Sequence, residues 1–115
     1  MTIVREYGIN GNKKLRYNLL ESRDGGSLNN CVGQKIQVKA YVLISDTNAE
    51  TAEITKRLRV LTTDNEILGT SSSSFIQGLE RYLDCMESDE LTELEVSQGT
   101  SKAGRKYLTF KAPID

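Results

Sequence analysis

The sequence predicts a mainly β protein, a small barrel of five strands with one α-helix between the third and the fourth strand. Several segments alternate between apolar and polar residues with the period of two that half-buried strands show. One segment instead repeats apolar residues every three or four positions, as an amphipathic helix does. Glycine and polar clusters separate these segments at short intervals and predict turns.

The length bounds the domain organisation. A chain of 115 residues with 37% hydrophobic residues supports one domain with a modest core. We divide it into an N-terminal extension (1–32) and the barrel (33–112). No run of about 18 apolar residues is present, so we expect no membrane partner. The first residues lack the apolar core of a signal peptide, which predicts a cytoplasmic location.

The N-terminal half supplies the extra strands and the first strand of the barrel. Residues 3–21 form two extended segments around a break at 8–12, and the second of them, 14–20, has strand propensity. Residues 34–45 are the clearest strand. Alternation places one set of side chains on one face, Ile36, Val38, Ala40, Val42 and Ile44, and the other set on the opposite face, Lys35, Gln37, Lys39, Tyr41 and Leu43.

The second half completes the predicted barrel. Strands at 56–63 and 67–71 precede a helix over 75–86, for which Ser74 and Gln77 predict a capping box. Two strands follow, around a loop at 98–106. This order is that of the OB-fold, which binds ligands on the face of its second and third strands and in the loops between strands 1 and 2 and between strands 4 and 5. Here those loops are 46–55 and 98–106.

The hairpin at 94–110 carries the strongest functional signal. Gly99 and Gly104 allow a turn, and the loop carries three cations within a stretch of five residues, Lys102, Arg105 and Lys106. Tyr107 follows directly. A basic turn beside an aromatic ring is suited to holding a phosphate backbone and stacking a base.

The charge distribution divides the chain into an acidic and a basic part. The net charge is −1, but residues 64–95 hold nine acids and one base, a net charge of −8, whereas the remainder has a net charge of +7. We therefore expect a basic face opposite an acidic one, which is compatible with a nucleic-acid partner.

Catalysis and cofactors find little support in the sequence. The chain has no histidine, and its two cysteines, Cys31 and Cys85, lie far apart, so it lacks the usual general base and a structural zinc site. It has no nucleophile elbow and no phosphate-binding glycine loop. The acidic run at 87–95 is typical of a solvated helix end. We expect neither an enzyme nor a cofactor.

From 33 to 110 the chain resembles the single-stranded-DNA-binding replication proteins of phages that infect Gram-positive bacteria, including small phages with protein-primed replication. Gly33-Gln34-Lys35-Ile36, Asp64-Asn65 and above all the run 96–108 carry the resemblance. It implies an OB-fold, replication proteins as further partners and the host-cell cytoplasm as location. Members tend to have an aromatic residue where this chain has Leu68 and a lysine where it has Ser73.

The candidate contact residues are cations and exposed aromatic residues. They are Lys39, Tyr41, Arg57, Arg59, Lys102, Arg105, Lys106, Tyr107 and Tyr17. Tyr41, Tyr107 and Tyr17 are candidates for stacking, and the alternative for Tyr41 is covering the barrel exterior or packing against the N-terminal strand. Arg57 and Arg59 alternate with Leu58 and Val60, so they share one outward face, which is either a phosphate contact or an ordinary ion-paired surface.

These observations favour a protein that binds and protects single-stranded DNA with little sequence preference in phage DNA replication, as a monomer or a weak homo-oligomer. The alternative is an OB-fold module that engages a host or viral protein through its acidic face.

Overall fold

The computed structural model describes residues 1–22 and 25–112. Strands hold 44% and helices 24% of these residues, which confirms the predicted mainly β class. The strands are β1 (Thr2–Tyr7), β2 (Gly26–Ser27), β3 (Lys35–Thr47), β4 (Ile54–Thr62), β5 (Ile67–Thr70), β6 (Glu93–Thr100) and β7 (Lys106–Lys111). The helices are α1 (Lys13–Glu21), a 3₁₀ turn (Leu28–Asn30) and α2 (Ser73–Met86).

The long strand β3 organises the sheet, which curls into a half-barrel. The strand order is β2-β5-β4-β3-β6-β7, with β1 also paired to β3. On one side β3 pairs with β4 from Val38 to Thr47. On the other side its partner changes from β6 at its start to β1 further along. A strand of this length can therefore belong to both halves of a curved sheet.

A register shift between Val38 and Ala40 exchanges the two faces of β3. Ile36 and Val38 point into the main core, and after the shift Tyr41 and Leu43 do so instead. One extra residue in a strand moves every later side chain to the other face. The predicted alternation is therefore wrong beyond Lys39. A second, smaller core receives Ala40, Val42 and Ile44.

The segment 14–20, predicted as a strand, is part of helix α1. The Asn12 side chain caps this helix by accepting a hydrogen bond from the Leu15 amide at 3.1 Å. Leu15 and Leu19 are four residues apart and share the helix face that packs onto the smaller core. This tertiary contact outweighs the strand propensity of the segment. The run Asp24-Gly25-Gly26-Ser27, whose glycines predict a break in the chain, lies partly outside the described residues, and its last two residues form β2.

Helix α2 covers the main core with the apolar face that its spacing predicts. Its buried residues are Phe75, Ile76, Leu79 and Leu83. The cap is Ser72, which accepts from the Phe75 amide, so the predicted capping box at Ser74 and Gln77 is wrong. Ser74 instead donates to the Leu108 carbonyl at 2.6 Å. This bond joins α2 to β7, the last strand of the sheet order.

Gly78 has a packing reason that the sequence does not reveal. A Cβ atom at this position would lie 3.3 Å from the Cβ of Phe110 on β7. The Phe110 ring packs edge-on against Phe75, with ring centroids 5.8 Å apart. Gly78 thus allows α2 to pack closely against β7, the second strand of the β6–β7 hairpin.

Candidate nucleic-acid interface

The hairpin of β6 and β7 positions the basic loop that the sequence singled out. Gly99 pairs with Tyr107 and Thr100 with Lys106, so the loop spans 101–105. The Ser101 amide donates to the Arg105 carbonyl at 2.8 Å, and the Gly104 amide donates to the Ser101 carbonyl at 2.9 Å. These bonds make the loop a closed turn. Its cations therefore project from a defined backbone.

The ring of Tyr107 lies across Gly99 on the neighbouring strand. A Cβ atom at Gly99 would lie 2.5 Å from Cζ and 2.6 Å from the hydroxyl oxygen of Tyr107. The ring therefore occupies the space in which any other residue at 99 would have its side chain. Tyr107 is nevertheless 42% exposed. One side of the ring rests on the backbone of Gly99, and the rest of its surface is open to a ligand.

The cations of the loop have no acidic partner among the described residues. Lys102, Arg105 and Lys106 are exposed, and none of them forms an ion pair there. Several basic residues elsewhere are paired, for example Arg16 with Glu6 at 2.7 Å and Lys111 with Glu95 at 3.6 Å. Unpaired charges at a loop tip are available to phosphate oxygens.

The cross-strand register decides which side chains share a face with Tyr107. Alternation places Thr109 and Lys111 on its face, together with Ser97 and Glu95 on β6. Lys106 points to the opposite face. Tyr107 therefore stands at the end of a polar, outward-facing surface, next to the loop that carries Lys102 and Arg105.

Tyr41 does not offer a stacking surface. It is 0% exposed and belongs to the main core, because the register shift at Lys39 turns it inward. Its hydroxyl donates to the Asp89 carbonyl at 2.7 Å, and its ring lies 6.2 Å from that of Tyr7. The prediction of an exposed ring is wrong. The alternative, packing against the N-terminal strand, is confirmed.

Lys39 is exposed at the register shift, as expected, but it does not share a face with Tyr41. It lines a cavity of about 600 Å³ together with Asn12 and Asn18 of the α1 region. Its surroundings are therefore the N-terminal segment rather than an aromatic platform.

Tyr17 lies on α1, not on a strand, and is 66% exposed. Lys13 and Lys14 precede it by four and three residues, so the three side chains share the outer side of the helix. An exposed ring next to two lysines remains a candidate contact for nucleic acid.

Arg57 and Arg59 share the outward face of β4, as the alternation predicts. Arg57 donates through Nε to Asp46 at 3.1 Å. Arg59 donates through Nε to the Leu19 carbonyl at 2.9 Å and through Nη2 to the Ser22 carbonyl at 2.5 Å, so it also holds the end of α1 in place. Burial, and then the charge of Arg57, lower the pKa of Arg59. Two cations thus lie close together on this face.

The two arginines line a groove that the sequence did not reveal. The groove has a volume of about 310 Å³, and its polar lining includes four further residues, Ser27, Asn29, Thr70 and Ser71. We call it the arginine groove. It was missed because Ser27 and Asn29 reach β5 only through the short parallel pairing of β2 with β5. Such a pairing has no local signal in the sequence.

Leu68 and Ser73, the two positions at which the chain differs from the phage proteins that it resembles, differ in burial. Leu68 is 7% exposed and lies in the main core, so this chain has no contact surface there. Ser73 is the exposed first residue of α2.

The acidic segment is partly neutralised within the molecule. Arg5 on β1 binds Asp84 and Asp89, and Lys56 binds Glu80 at 2.9 Å. Glu87 and Glu90 are exposed and form no ion pair with any described residue. The acidic surface therefore centres on the turn that follows α2.

In the described part of the chain, no helix is both long and apolar enough to cross a membrane. Comparison with protein-family models, with curated proteins and with solved structures finds no match to this chain.

Proposed function

We propose that this chain is an OB-fold protein that binds single-stranded DNA with little sequence preference, as in phage DNA replication, and that it acts by binding rather than by catalysis. The strand order β5-β4-β3-β6-β7 supports the fold, as does the position of α2 between β5 and β6. The resemblance of residues 33–110 to single-stranded-DNA-binding replication proteins of phages also supports this function.

One observation carries the proposal. The Tyr107 ring is held on Gly99 and exposed, at a hairpin tip whose three cations lack acidic partners among the described residues. An exposed ring can stack on any base, because every base has an aromatic face, and such stacking contributes about 1–3 kcal/mol per base. The cations bind the phosphates that flank that base. Neither interaction reads the sequence of the strand, so little sequence preference is expected.

The test is an anisotropy titration of fluorescein-labelled oligo-dT with the purified full chain at two salt concentrations. We expect binding that weakens steeply with salt, because phosphate contacts release counterions. Unlabelled oligo-dA should compete and a duplex of equal length should compete poorly. Absence of binding at low salt, or equal competition by the duplex, would contradict the proposal.

The second candidate function is an interaction with a basic protein surface through the acidic turn after α2. Glu87 and Glu90 favour it, since both are exposed without an ion pair among the described residues. A pull-down from host lysate with Glu87→Lys and Glu90→Lys tests this function. A nuclease-resistant partner that is lost with the variant supports it, and a partner that the variant retains counts against it.

A further inference from the structure

The arginine groove presents hydrogen-bond donors that have no partner among the described residues. Arg59 uses Nε and Nη2 on carbonyl groups of the α1 region, and its Nη1 lies beside Gly69, where a Cβ atom would be 2.9 Å away. Arg57 uses only Nε, on Asp46. Both guanidinium groups therefore keep N–H groups without a partner among the described residues. Arginine stays protonated at any ordinary pH, so these donors cannot be lost by titration.

The neutral residues of the groove also keep hydrogen-bond donors free. Thr70 Oγ1 donates to Asn29 Oδ1 at 3.0 Å, which leaves the Asn29 amide nitrogen to donate. Ser27 Oγ accepts a hydrogen bond from the backbone N–H of Asn29 at 3.1 Å, so the Ser27 hydroxyl proton is available to a ligand. Ser71 is exposed at the rim.

The charge of the groove is unbalanced. Two guanidinium groups line it, and no carboxylate is among the described residues that do so. Asp46 offsets part of the charge of Arg57 from the side of β3. Donors that line a space beside two cations match an oxyanion with several acceptor atoms.

We propose that the arginine groove binds a phosphate group, with Arg57 and Arg59 on one wall and Ser27 and Asn29 of the N-terminal segment on the other. The phosphate is either an internal phosphodiester of the bound strand or a free or terminal phosphate. The first source rests on the proposed function, and the second does not. In both cases the N-terminal extension is part of a binding site and not only a cover for the sheet.

The experiment is an NMR titration of the full, ¹⁵N-labelled chain that follows backbone amides and arginine Nε–H groups. Inorganic phosphate is added against chloride at constant ionic strength. We expect saturable shifts at Gly69, Ser71 and the Nε–H groups of Arg57 and Arg59. Arg57→Gln should weaken phosphate binding by about tenfold, since it removes charge-assisted hydrogen bonds. The matched control, Arg81→Gln on the exposed side of α2, should not.

A second variant guards against a folding defect. Ser71→Asp places a carboxylate at the rim and leaves both arginines in place, so it should lower phosphate affinity while the thermal midpoint stays near that of the wild type. Identical chemical-shift changes with chloride alone would overturn the proposal. Equal losses of phosphate affinity in Arg57→Gln and Arg81→Gln would also overturn it.

Oligo-dT without a terminal phosphate distinguishes the two sources. Shifts in the groove with this oligonucleotide assign the site to internal phosphodiesters. If phosphate shifts the groove and the oligonucleotide binds elsewhere, the groove holds a free or terminal phosphate and the internal source is excluded. If phosphate binds but oligo-dT does not bind the protein at all, the proposed function fails while the phosphate site stands.

Discussion

Tyr107 on β7 covers the backbone of Gly99 on β6, and the two residues are direct cross-strand partners. The absence of a side chain at 99 lets the ring lie down on the strand instead of projecting freely. A ring held in this way has already lost much of its rotamer freedom before a ligand arrives, so less entropy is lost on binding. The relationship turns a basic hairpin into an ordered aromatic platform.

The first prediction concerns this ring itself. Tyr107→Ala should weaken oligo-dT binding by about five- to 150-fold, the equivalent of about 1–3 kcal/mol of stacking. Tyr107→Phe should keep nearly all the affinity, because the phenol hydroxyl is not needed for stacking. Anisotropy titrations of both variants at low salt measure this. Equal losses in the two variants would show that the ring face is not the binding element.

The second prediction concerns Gly99. Gly99→Val should lower oligo-dT affinity towards that of Tyr107→Ala, because a side chain at 99 displaces the ring. Valine favours strands, so the thermal midpoint should change little. The double variant should bind no more weakly than Tyr107→Ala alone, since both changes remove the same contact. Additive losses would contradict the coupling between the two residues.

The third prediction concerns salt. For single strands, the slope of log K against log salt is about −0.7 for each phosphate contact. Replacing Lys102, Arg105 and Lys106 together by glutamine should therefore make the slope shallower by about two. Lys111→Gln is the matched control, because Lys111 is paired with Glu95 on the same hairpin. This substitution should leave the salt slope unchanged. A triple variant with the wild-type slope would exclude the loop from phosphate contact.

The fourth prediction concerns Tyr41, which the structure places in the core. Tyr41→Phe removes the hydrogen bond to the Asp89 carbonyl and should lower the free energy of unfolding by about 1–3 kcal/mol. It should not change oligo-dT affinity. Urea unfolding and anisotropy, measured on the same preparation, test the two statements. A large loss of affinity with unchanged stability would restore the stacking role.

The same side chain predicts a dependence on alkaline pH. Burial, and then the charge of Asp89, raise the pKa of Tyr41 above its ordinary value of 10.0. The unfolded chain ionises this phenol first, so its contribution to stability is complete below pH 10.0 and is lost as the pH rises further. Between about pH 8 and pH 11, the wild type should lose more unfolding free energy than Tyr41→Phe. Equal losses of unfolding free energy in the wild type and in Tyr41→Phe would contradict the raised pKa of Tyr41.

Local patterns in the sequence predicted much of this fold. The strands from β4 to β7 and helix α2 lie where their periodicity places them, because each buries apolar side chains in the main core. The short helix α1 was missed because Leu15 and Leu19 have only the spacing of one helical turn, and its stability comes from the contact with Ala40 and Val42.

The candidate site was predictable in part, for similar physical reasons. The hairpin cations and Tyr107 are adjacent in sequence, so their proximity follows from the turn. The burial of Tyr41 depends on a register shift at Lys39, and the sequence shows no sign of it. The arginine groove depends on pairing between β2 and β5, which are separated by about 40 residues.

The proposed contact between Tyr107 and a base is tested most directly by photocrosslinking. Oligo-dT that carries 5-iodouracil forms a covalent bond on irradiation with an aromatic side chain stacked on the modified base. Digestion and mass spectrometry then identify the residue that is attached. We predict Tyr107 as a major attachment site, with a large loss of its peptide signal in Gly99→Val. Efficient crosslinking elsewhere, with none in the peptide that contains Tyr107, would contradict a base-stacking role for the β6–β7 hairpin.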